Sequence, residues 1–188
     1  DLYRQGREIG SLWTADAEPK GRAMEIVAVL ERTLRKHPNH PGADHFYIHA
    51  IEASPWPERG LPAAERLGNL VPGSGHVVHM PSHIFIRTGR YAQAADANAR
   101  AIQADEAYFA LAPQPDFYSL YFLHNVHFLA YAAMMEGRYQ MAIDAARKIA
   151  GSRMVTRARA RCPARPRGVS ALSRSGLQAP GSGSRRRG

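Results

Sequence analysis

The chain has 188 residues, with 25 Lys and Arg against 16 Asp and Glu, so its formal net charge at neutral pH is +9. The charge is uneven, because residues 1–150 contain every acidic residue and 15 of the basic ones, whereas residues 151–188 contain ten Arg and no acid. The basic balance therefore belongs to the C-terminal segment and is no sign of specific nucleic-acid binding by residues 1–150. The single cysteine, Cys162, excludes an intramolecular disulfide and a Cys-based zinc site, and it favours a reduced, cytoplasmic compartment.

Neither end of the chain resembles a targeting or membrane segment. No apolar run approaches the roughly 20 residues that a membrane-spanning helix needs, so no membrane partner is predicted. The first residues, DLYRQGREIG, do not resemble a signal peptide, and their abrupt start suggests a fragment of a longer protein.

Apolar spacing predicts helices from residue 23 onward. Residues 1–22 contain turn signals and a lone Trp13, after which residues 23–36 form an amphipathic helix that ends before Pro38. Two further helices are expected near residues 43–53 and 58–70, separated by a Pro-rich turn. The apolar face of the first helix consists of Ile26, Val27, Leu30 and Leu34.

Pro81 interrupts the next helical stretch, which begins at Gly75. Inside a helix it would remove a hydrogen bond and cost roughly 3 kcal/mol. The alternative is a late helix start, with residues 76–80 extended and Pro81 in the first turn. This second arrangement would let His76 and His79 approach a site from a loop.

One short pattern occurs twice in the second half of the chain. It is G-x-Y-x-x-A, with the members Gly89, Tyr91 and Ala94 and then Gly137, Tyr139 and Ala142; a further small residue follows at Ala101 and at Ala146. The glycine permits a tight turn between two helices, and the small alanines permit close backbone approach. A 34-residue period accompanies it, since the closing position of the repeat falls at Pro38, Pro72 and Glu106.

These features resemble the tetratricopeptide repeat (TPR), a helical hairpin of 34 residues. More narrowly, the stretches H-P-G-A-x-H-x-Y-I-H-A-x-E and H-M-P-S-H-I resemble a group of bacterial His-rich TPR proteins. The resemblance implies an all-α solenoid of three to four hairpins over residues 23–150. Its repeats lie near 41–74, 75–106 and 123–150, with a degenerate or truncated repeat at 1–22 and an insertion at 107–122.

The insertion and the C-terminal segment each leave two interpretations open. Residues 107–122, rich in aromatics, are either a functional loop or a surface excursion packed on neighbouring helices. Residues 151–188 lack hydrophobic periodicity and are predicted to be a disordered, non-native Arg-rich tail. The alternative, an arm for nucleic acid, is disfavoured because the segment has no aromatic residues for base stacking.

Seven of the nine histidines fall in register when each repeat is numbered from its own start. In the TPR family, positions 2, 5, 9 and 12 of a repeat line a concave groove, so the resemblance implies that these histidines share one surface with Glu52. Helical spacing agrees, since partners three or four residues apart share a helix face. His37 and His40, in a turn, are expected to be ordinary surface residues. The candidate metal ligands are His45, His49, Glu52, His76, His79, His83, His124 and His127; Tyr47, Asn125 and Tyr131 are further groove residues.

Three interpretations of this surface stay open: a metal site, a polar groove for an anionic or peptide ligand, and a structural hydrogen-bond ladder. Imidazole nitrogens with a carboxylate suit zinc first, with copper or iron as alternatives. The zincin family is excluded because Phe46 replaces the general-base Glu of H-E-x-x-H. The sequence thus predicts a TPR-type, metal-binding protein. The alternatives are a peptide or protein scaffold without metal and a metal-dependent enzyme of unspecified reaction; the solenoid ends would also permit self-association.

Overall fold

The computed structural model describes residues 12–112 and 118–152, and within those ranges the protein is all-helical apart from one isolated bridge between Trp13 and Pro19. A short 3-10 turn, Pro57–Gly60, precedes the third helix. No described helix is long and apolar enough to cross a membrane. The helices are α1 (Ala23–Lys36), α2 (Pro41–Ile51), α3 (Leu61–Leu70), α4 (Gly75–His79), α5 (Pro81–Arg87), α6 (Tyr91–Leu111), α7 (Tyr118–Met135) and α8 (Tyr139–Ala150).

Most of the helices pack on their neighbours along the chain, whereas α4 packs mainly against α6. The pairs α1/α2, α2/α3, α5/α6, α6/α7 and α7/α8 are in contact, and α4 also packs against α6 and α7. The predicted apolar face of α1 is confirmed, since Val27 is buried and Ile26, Leu30 and Leu34 pack against the same core. The middle helices therefore lie between neighbours on both sides.

Two interhelical turns have the same construction, as the repeated G-x-Y pattern predicts. Gly89 and Gly137 have φ values of +73° and +70°, a region that residues with a Cβ rarely adopt. The amide of the following residue then donates to a carbonyl five residues back: Arg90 to Phe85 at 2.7 Å and Arg138 to Ala133 at 2.9 Å. This is the hydrogen-bond pattern of a glycine-ended helix, and it lets the next helix turn back onto the previous one.

The predicted small residues occupy close contacts between helices. Ala94 and Ala101 are fully buried on α6, where larger side chains would separate it from its neighbours. The N-terminal segment joins the same core, because the Trp13 indole is buried and donates to the Ala50 carbonyl at 2.8 Å. The segment before α1 is thereby attached to α2.

The extended arrangement predicted for residues 76–80 is wrong. α4 is helical from Gly75, and Met80 keeps right-handed helical angles of φ −49° and ψ −39° between α4 and α5. Pro81 does lie in the first turn of α5. An N–H at that position has no partner within the helix, so its absence from proline costs no hydrogen bond of α5. His76, His79 and His83 therefore follow one another along two consecutive short helices joined by a helical residue.

Much of the predicted insertion is helix. α6 continues to Leu111, and α7 begins at Tyr118, five residues before the expected repeat start at 123. Residues 113–117 lie outside the described residues, and so does the predicted tail from residue 153 onward. Ser54 and Ser82 are both buried.

A buried polar group joins α4, α6 and α7. The Asp105 carboxylate accepts from Tyr118 Oη and Asn125 Nδ2, each at 2.8 Å. α4 begins directly against this carboxylate, and a Cβ built on Gly75 would overlap its oxygens. Glycine is therefore required at the start of α4 for this close approach.

We predict that Gly75→Ala destabilises the fold by about 1–3 kcal/mol, because the added methyl must displace Asp105 from its two partners. Thermal unfolding of the purified variants measures the effect. Gly73→Ala is the matched control, since a Cβ there meets nothing within 4 Å and should change stability by less than about 0.5 kcal/mol. Equal melting temperatures for both variants would contradict the close approach.

Candidate metal centre

Six histidines and one carboxylate meet where α2, α4, α5 and α7 come together. His45 and His49 lie one turn apart on α2, and Glu52 directly follows the helix as its C-terminal cap. The other members are His76 and His79 on α4, His83 on α5 and His124 on α7. Helix packing thus brings together side chains that lie up to 79 residues apart in the sequence.

The histidines form two groups, here called the first triad (His45, His49 and His76) and the second triad (His79, His83 and His124). Within each triad, one ring nitrogen from every member lies within 4.8 Å of the others. In the first triad, Nε2 of His45 and Nε2 of His76 are 3.2 Å apart. In the second, Nε2 of His79 and Nε2 of His83 are 2.9 Å apart.

Several of the rings are held by hydrogen bonds at Nδ1, on the edge of the ring away from the cluster. Glu52 is the central partner: Oε1 lies 3.2 Å from Nδ1 of His49, and Oε2 lies 2.6 Å from Nδ1 of His83. A carboxylate can only accept, so both imidazoles donate from Nδ1 and turn Nε2 toward the cluster. This is the arrangement by which carboxylates orient metal-ligating histidines.

His79 is oriented in the same way by an amide. Its Nδ1 lies 2.6 Å from Oδ1 of Asn98, while the Asn98 amide nitrogen donates to the Ala94 carbonyl at 2.7 Å. That second bond fixes which side of the amide faces the ring, so Nδ1 of His79 is the donor. Ser82 Oγ lies 3.3 Å from the same nitrogen. The free lone pair of His79 is therefore on Nε2, facing His83.

These assignments leave two lone pairs facing each other in the second triad. Nδ1 carries the hydrogen in both His79 and His83. When both rings are neutral, neither Nε2 has a hydrogen to donate to the other across the 2.9 Å between them. A proton or a metal ion between them removes the repulsion, and Glu52 supplies the opposite charge. A ladder of neutral imidazoles alone does not satisfy this pair.

Aromatic side chains form the walls of the cluster. The Phe128 ring lies 4.8 Å from the rings of His79 and His83 and 4.5 Å from that of His124, measured between centroids. Tyr121 lies 4.8 Å from His76 on the other side. Such walls keep water from part of the cluster and lower the local dielectric.

Burial keeps several of these imidazoles neutral. Burial, followed by the charges of neighbouring histidines, lowers the pKa of His45 and of His124 to about 4. The same causes lower the pKa of His76 to about 3 and that of His79 well below 6.5. Neutral imidazoles retain the lone pairs that a metal ion requires.

Glu52 is the charged partner of this neutral group. Burial by itself would raise the pKa of Glu52, but hydrogen bonds from His49 and His83, with the charges of these rings, outweigh burial and lower the pKa to about 2. The carboxylate therefore stays ionised at neutral pH and remains an acceptor for both rings.

Four of the predicted site residues lie outside the cluster formed by the two triads and Glu52. His127 is exposed on α7, and Tyr131 is partly exposed with its ring beside Tyr91. Tyr47 is buried and donates to Glu31 at 2.8 Å, whereas Asn125 is buried and donates to Asp105. The other seven predicted ligands all meet in the cluster.

No role is predicted from the sequence for Asn98 or Phe128, although both contact the cluster. Asn98 had a readable signal, because it lies with Ala94, Ala101 and Asp105 on one face of α6, and a polar residue among small buried ones needs a partner. Phe128 had none, since any apolar residue of α7 could have filled its place. His40 has a structural role instead, because its Nδ1 accepts from the Ala43 amide at 3.2 Å and caps α2.

Acidification should destabilise the metal-free fold. Unfolding returns His45, His76, His79 and His124 to an ordinary pKa near 6.5, so the unfolded chain binds protons that the folded chain does not. The free energy of unfolding therefore falls as the pH drops below about 6.5. Glu52 does not oppose this, because its folded and ordinary pKa values of about 2 and 4.5 both lie below the range.

Urea unfolding of chelator-treated protein between about pH 7.5 and pH 5.5 measures this dependence. The midpoint should decrease at each step, and by the same amount in His37→Ala, which removes an exposed histidine outside the cluster. A midpoint that stayed constant or rose on acidification would contradict neutral, buried imidazoles.

The chain matches no protein-family model, no curated protein and no solved structure in comparisons with each. Its chemistry is therefore inferred from its own residues. The two histidine triads could each hold a metal ion, and the carboxylate of Glu52 joins them.

Proposed function

We propose that this is a TPR-type binding protein whose His-lined groove holds a transition-metal ion. The repeat assignment is supported by the two glycine-ended turns at Gly89 and Gly137 and by the close-packed alanines at 94 and 101. It is also supported by the chain-order packing of the helices. In such a repeat the first helix of each hairpin lines the groove, and the helices that carry the histidines occupy that position.

The observation that carries the metal assignment is the pair of opposed Nε2 atoms in the second triad. Their Nδ1 atoms donate to Asn98 and Glu52, so both lone pairs point at the same space. A peptide groove does not need this arrangement, because a peptide can form hydrogen bonds, as donor or as acceptor, with a histidine in either tautomer. A cation needs it, since every ligand must present a lone pair to one point.

The donor set favours a borderline transition metal. Six imidazoles and one carboxylate suit zinc first, and copper or iron as alternatives, whereas calcium and magnesium prefer oxygen ligands. The chain's one cysteine, Cys162, lies outside the described residues, so the cluster is assigned without a thiolate.

A metal-dependent enzyme is the second candidate, and one observation favours it. Each triad offers three ring nitrogens, and a tetrahedral ion with three protein ligands keeps one position for water or substrate, as catalytic zinc sites do. The residues around the cluster specify no reaction, so an activity screen should follow a demonstration of metal binding.

We expect zinc to raise the melting temperature of the chelator-treated protein, because an ion bound only by the folded chain stabilises it. At a free concentration a hundredfold above Kd, the gain is about 2.7 kcal/mol. His79→Ala/His83→Ala should lose this shift, whereas His37→Ala/His127→Ala, which removes two exposed histidines, should keep it. Differential scanning calorimetry with and without EDTA measures both.

The absence of any zinc-, copper- or iron-dependent shift in the parent protein would contradict the metal assignment. The His-lined groove would then be assigned to a peptide or protein partner, whose binding should be insensitive to chelator. An equal shift in both double variants would place the metal outside the cluster.

A further inference from the structure

The distances within each triad fit the coordination shell of one ion. For a tetrahedral ion with metal–nitrogen bonds of 2.0–2.1 Å, two ligand nitrogens are separated by about 3.3 Å. The Nε2 atoms of His45 and His76 are 3.2 Å apart, and those of His79 and His83 are 2.9 Å apart. One pair of nitrogens in each triad is therefore already close to the spacing that an ion requires, and the third nitrogen lies within 4.8 Å of both.

The two triads adjoin each other. The ring centroids of His49 and His83 are 5.4 Å apart, and those of His76 and His79 are 6.2 Å apart, across the boundary between the triads. The ring nitrogens that lie within 4.8 Å of one another nevertheless form two separate groups of three. A single ion has no need of six imidazoles, because zinc sites in proteins almost always have four ligands.

One carboxylate serves both triads. Glu52 uses one oxygen for His49 of the first triad and the other oxygen for His83 of the second. In addition, Nδ1 of His76 is buried without a hydrogen-bond partner. The contact between Nε2 of His76 and Nε2 of His45 is therefore the polar contact that orients the His76 ring. The first triad thus contains one buried ring nitrogen that the protein leaves without a partner.

We propose that the cluster is a two-ion centre, with one transition-metal ion in each triad and Glu52 orienting one ligand of each ion. This inference rests on the metal-binding function proposed above and adds to it the number and placement of the ions. Two adjoining ions, each with an open position, form the kind of centre that clamps an oxygen ligand between two metals.

Zinc stoichiometry tests the proposal on the full chain. All variants carry Cys162→Ser, so that the thiol outside the cluster cannot bind zinc. After chelator treatment, loading with zinc and removal of excess by gel filtration, native mass spectrometry should find two ions on the parent. It should find one on His45→Ala/His76→Ala and one on His83→Ala/His124→Ala. His37→Ala/His127→Ala, the matched control outside the triads, should keep two.

The outcomes separate the two levels of the proposal. No zinc on the parent, and no copper or iron after the same loading, would overturn metal binding itself. One zinc on the parent, lost in both triad variants, would keep metal binding and overturn the two-ion centre. Two zinc ions on every variant would place the ions outside the triads and overturn both. Circular dichroism verifies that each variant keeps its helical signal.

A measurement on the unsubstituted histidines keeps the proposal testable if a triad variant fails to fold. The Cys162→Ser parent is titrated with cobalt(II) and followed by electron paramagnetic resonance. Two adjoining ions should couple, so the signal should grow over the first equivalent and then change shape and lose intensity per ion over the second. A signal that doubles without changing shape would show isolated ions and overturn the adjoining arrangement.

Glu52→Gln tests the role of the carboxylate as a positioning group. The side-chain amide of glutamine has one oxygen, so it cannot accept hydrogen bonds from both rings as the two carboxylate oxygens of Glu52 do. The Kd of each ion should therefore rise about 10- to 100-fold. Glu31→Gln is the matched control, because Glu31 is also a partly buried carboxylate but accepts from Tyr47 and Arg59. Competition with a chromophoric chelator measures both affinities. A loss confined to one ion, or an equal loss in Glu31→Gln, would overturn the shared role of Glu52.

Discussion

The hydrogen bonds to Nδ1 are the constraint on which the histidine cluster depends. An imidazole without such a bond can present either nitrogen to its neighbours, and a group of six free rings would have many arrangements of similar energy. Glu52 and Asn98 remove that freedom for His49, His83 and His79 by accepting from one side of each ring. Because these acceptors are buried or partly buried, their bonds are stronger than in water and costly to leave unmade.

Packing elsewhere in the molecule supports this constraint. Asn98 can orient His79 only because Ala94 and Ala101 allow α6 to approach α4 and α5 closely. The start of α4 is held in turn by Gly75, which accommodates the Asp105 carboxylate and its partners on α7. Polar bonds and small residues thus act together: the small residues bring the backbones close, and the polar bonds set the orientation of the rings.

Much of this arrangement follows from local sequence periodicity. The positions of α1 and α2 and the turns at Gly89 and Gly137 depend on spacing and backbone sterics within a few residues, which a single sequence contains. The convergence of the histidines depends on a repeated register, and six of the seven expected histidines do meet. His127 does not, because the rotation of α7 about its axis is set by packing across the fold, with Val126 buried and His127 left outside.

Sequence periodicity does not predict the division into two triads, for a similar reason. Helical spacing places His45 beside His49 and His79 beside His83, but distances between helices depend on side-chain packing from distant parts of the chain. The pairing of His45 with His76, 31 residues apart, and of Glu52 with His83, also 31 apart, exists only after α2 has come together with α4 and α5. The helical continuity through Met80 and Pro81 was ambiguous locally and is decided by the same docking.

The spread of the ligands along the chain has a consequence for folding. His45 and His124 are 79 residues apart, so the cluster is among the most non-local features of a fold whose other contacts join mainly neighbouring helices. Contacts of that separation close late, after the entropy of the intervening loop has been lost. Neighbouring helices can therefore pair early through local contacts, whereas the complete set of ring nitrogens exists only in the fully assembled chain. Any ligand that needs all of them would distinguish a finished molecule from a partly folded one.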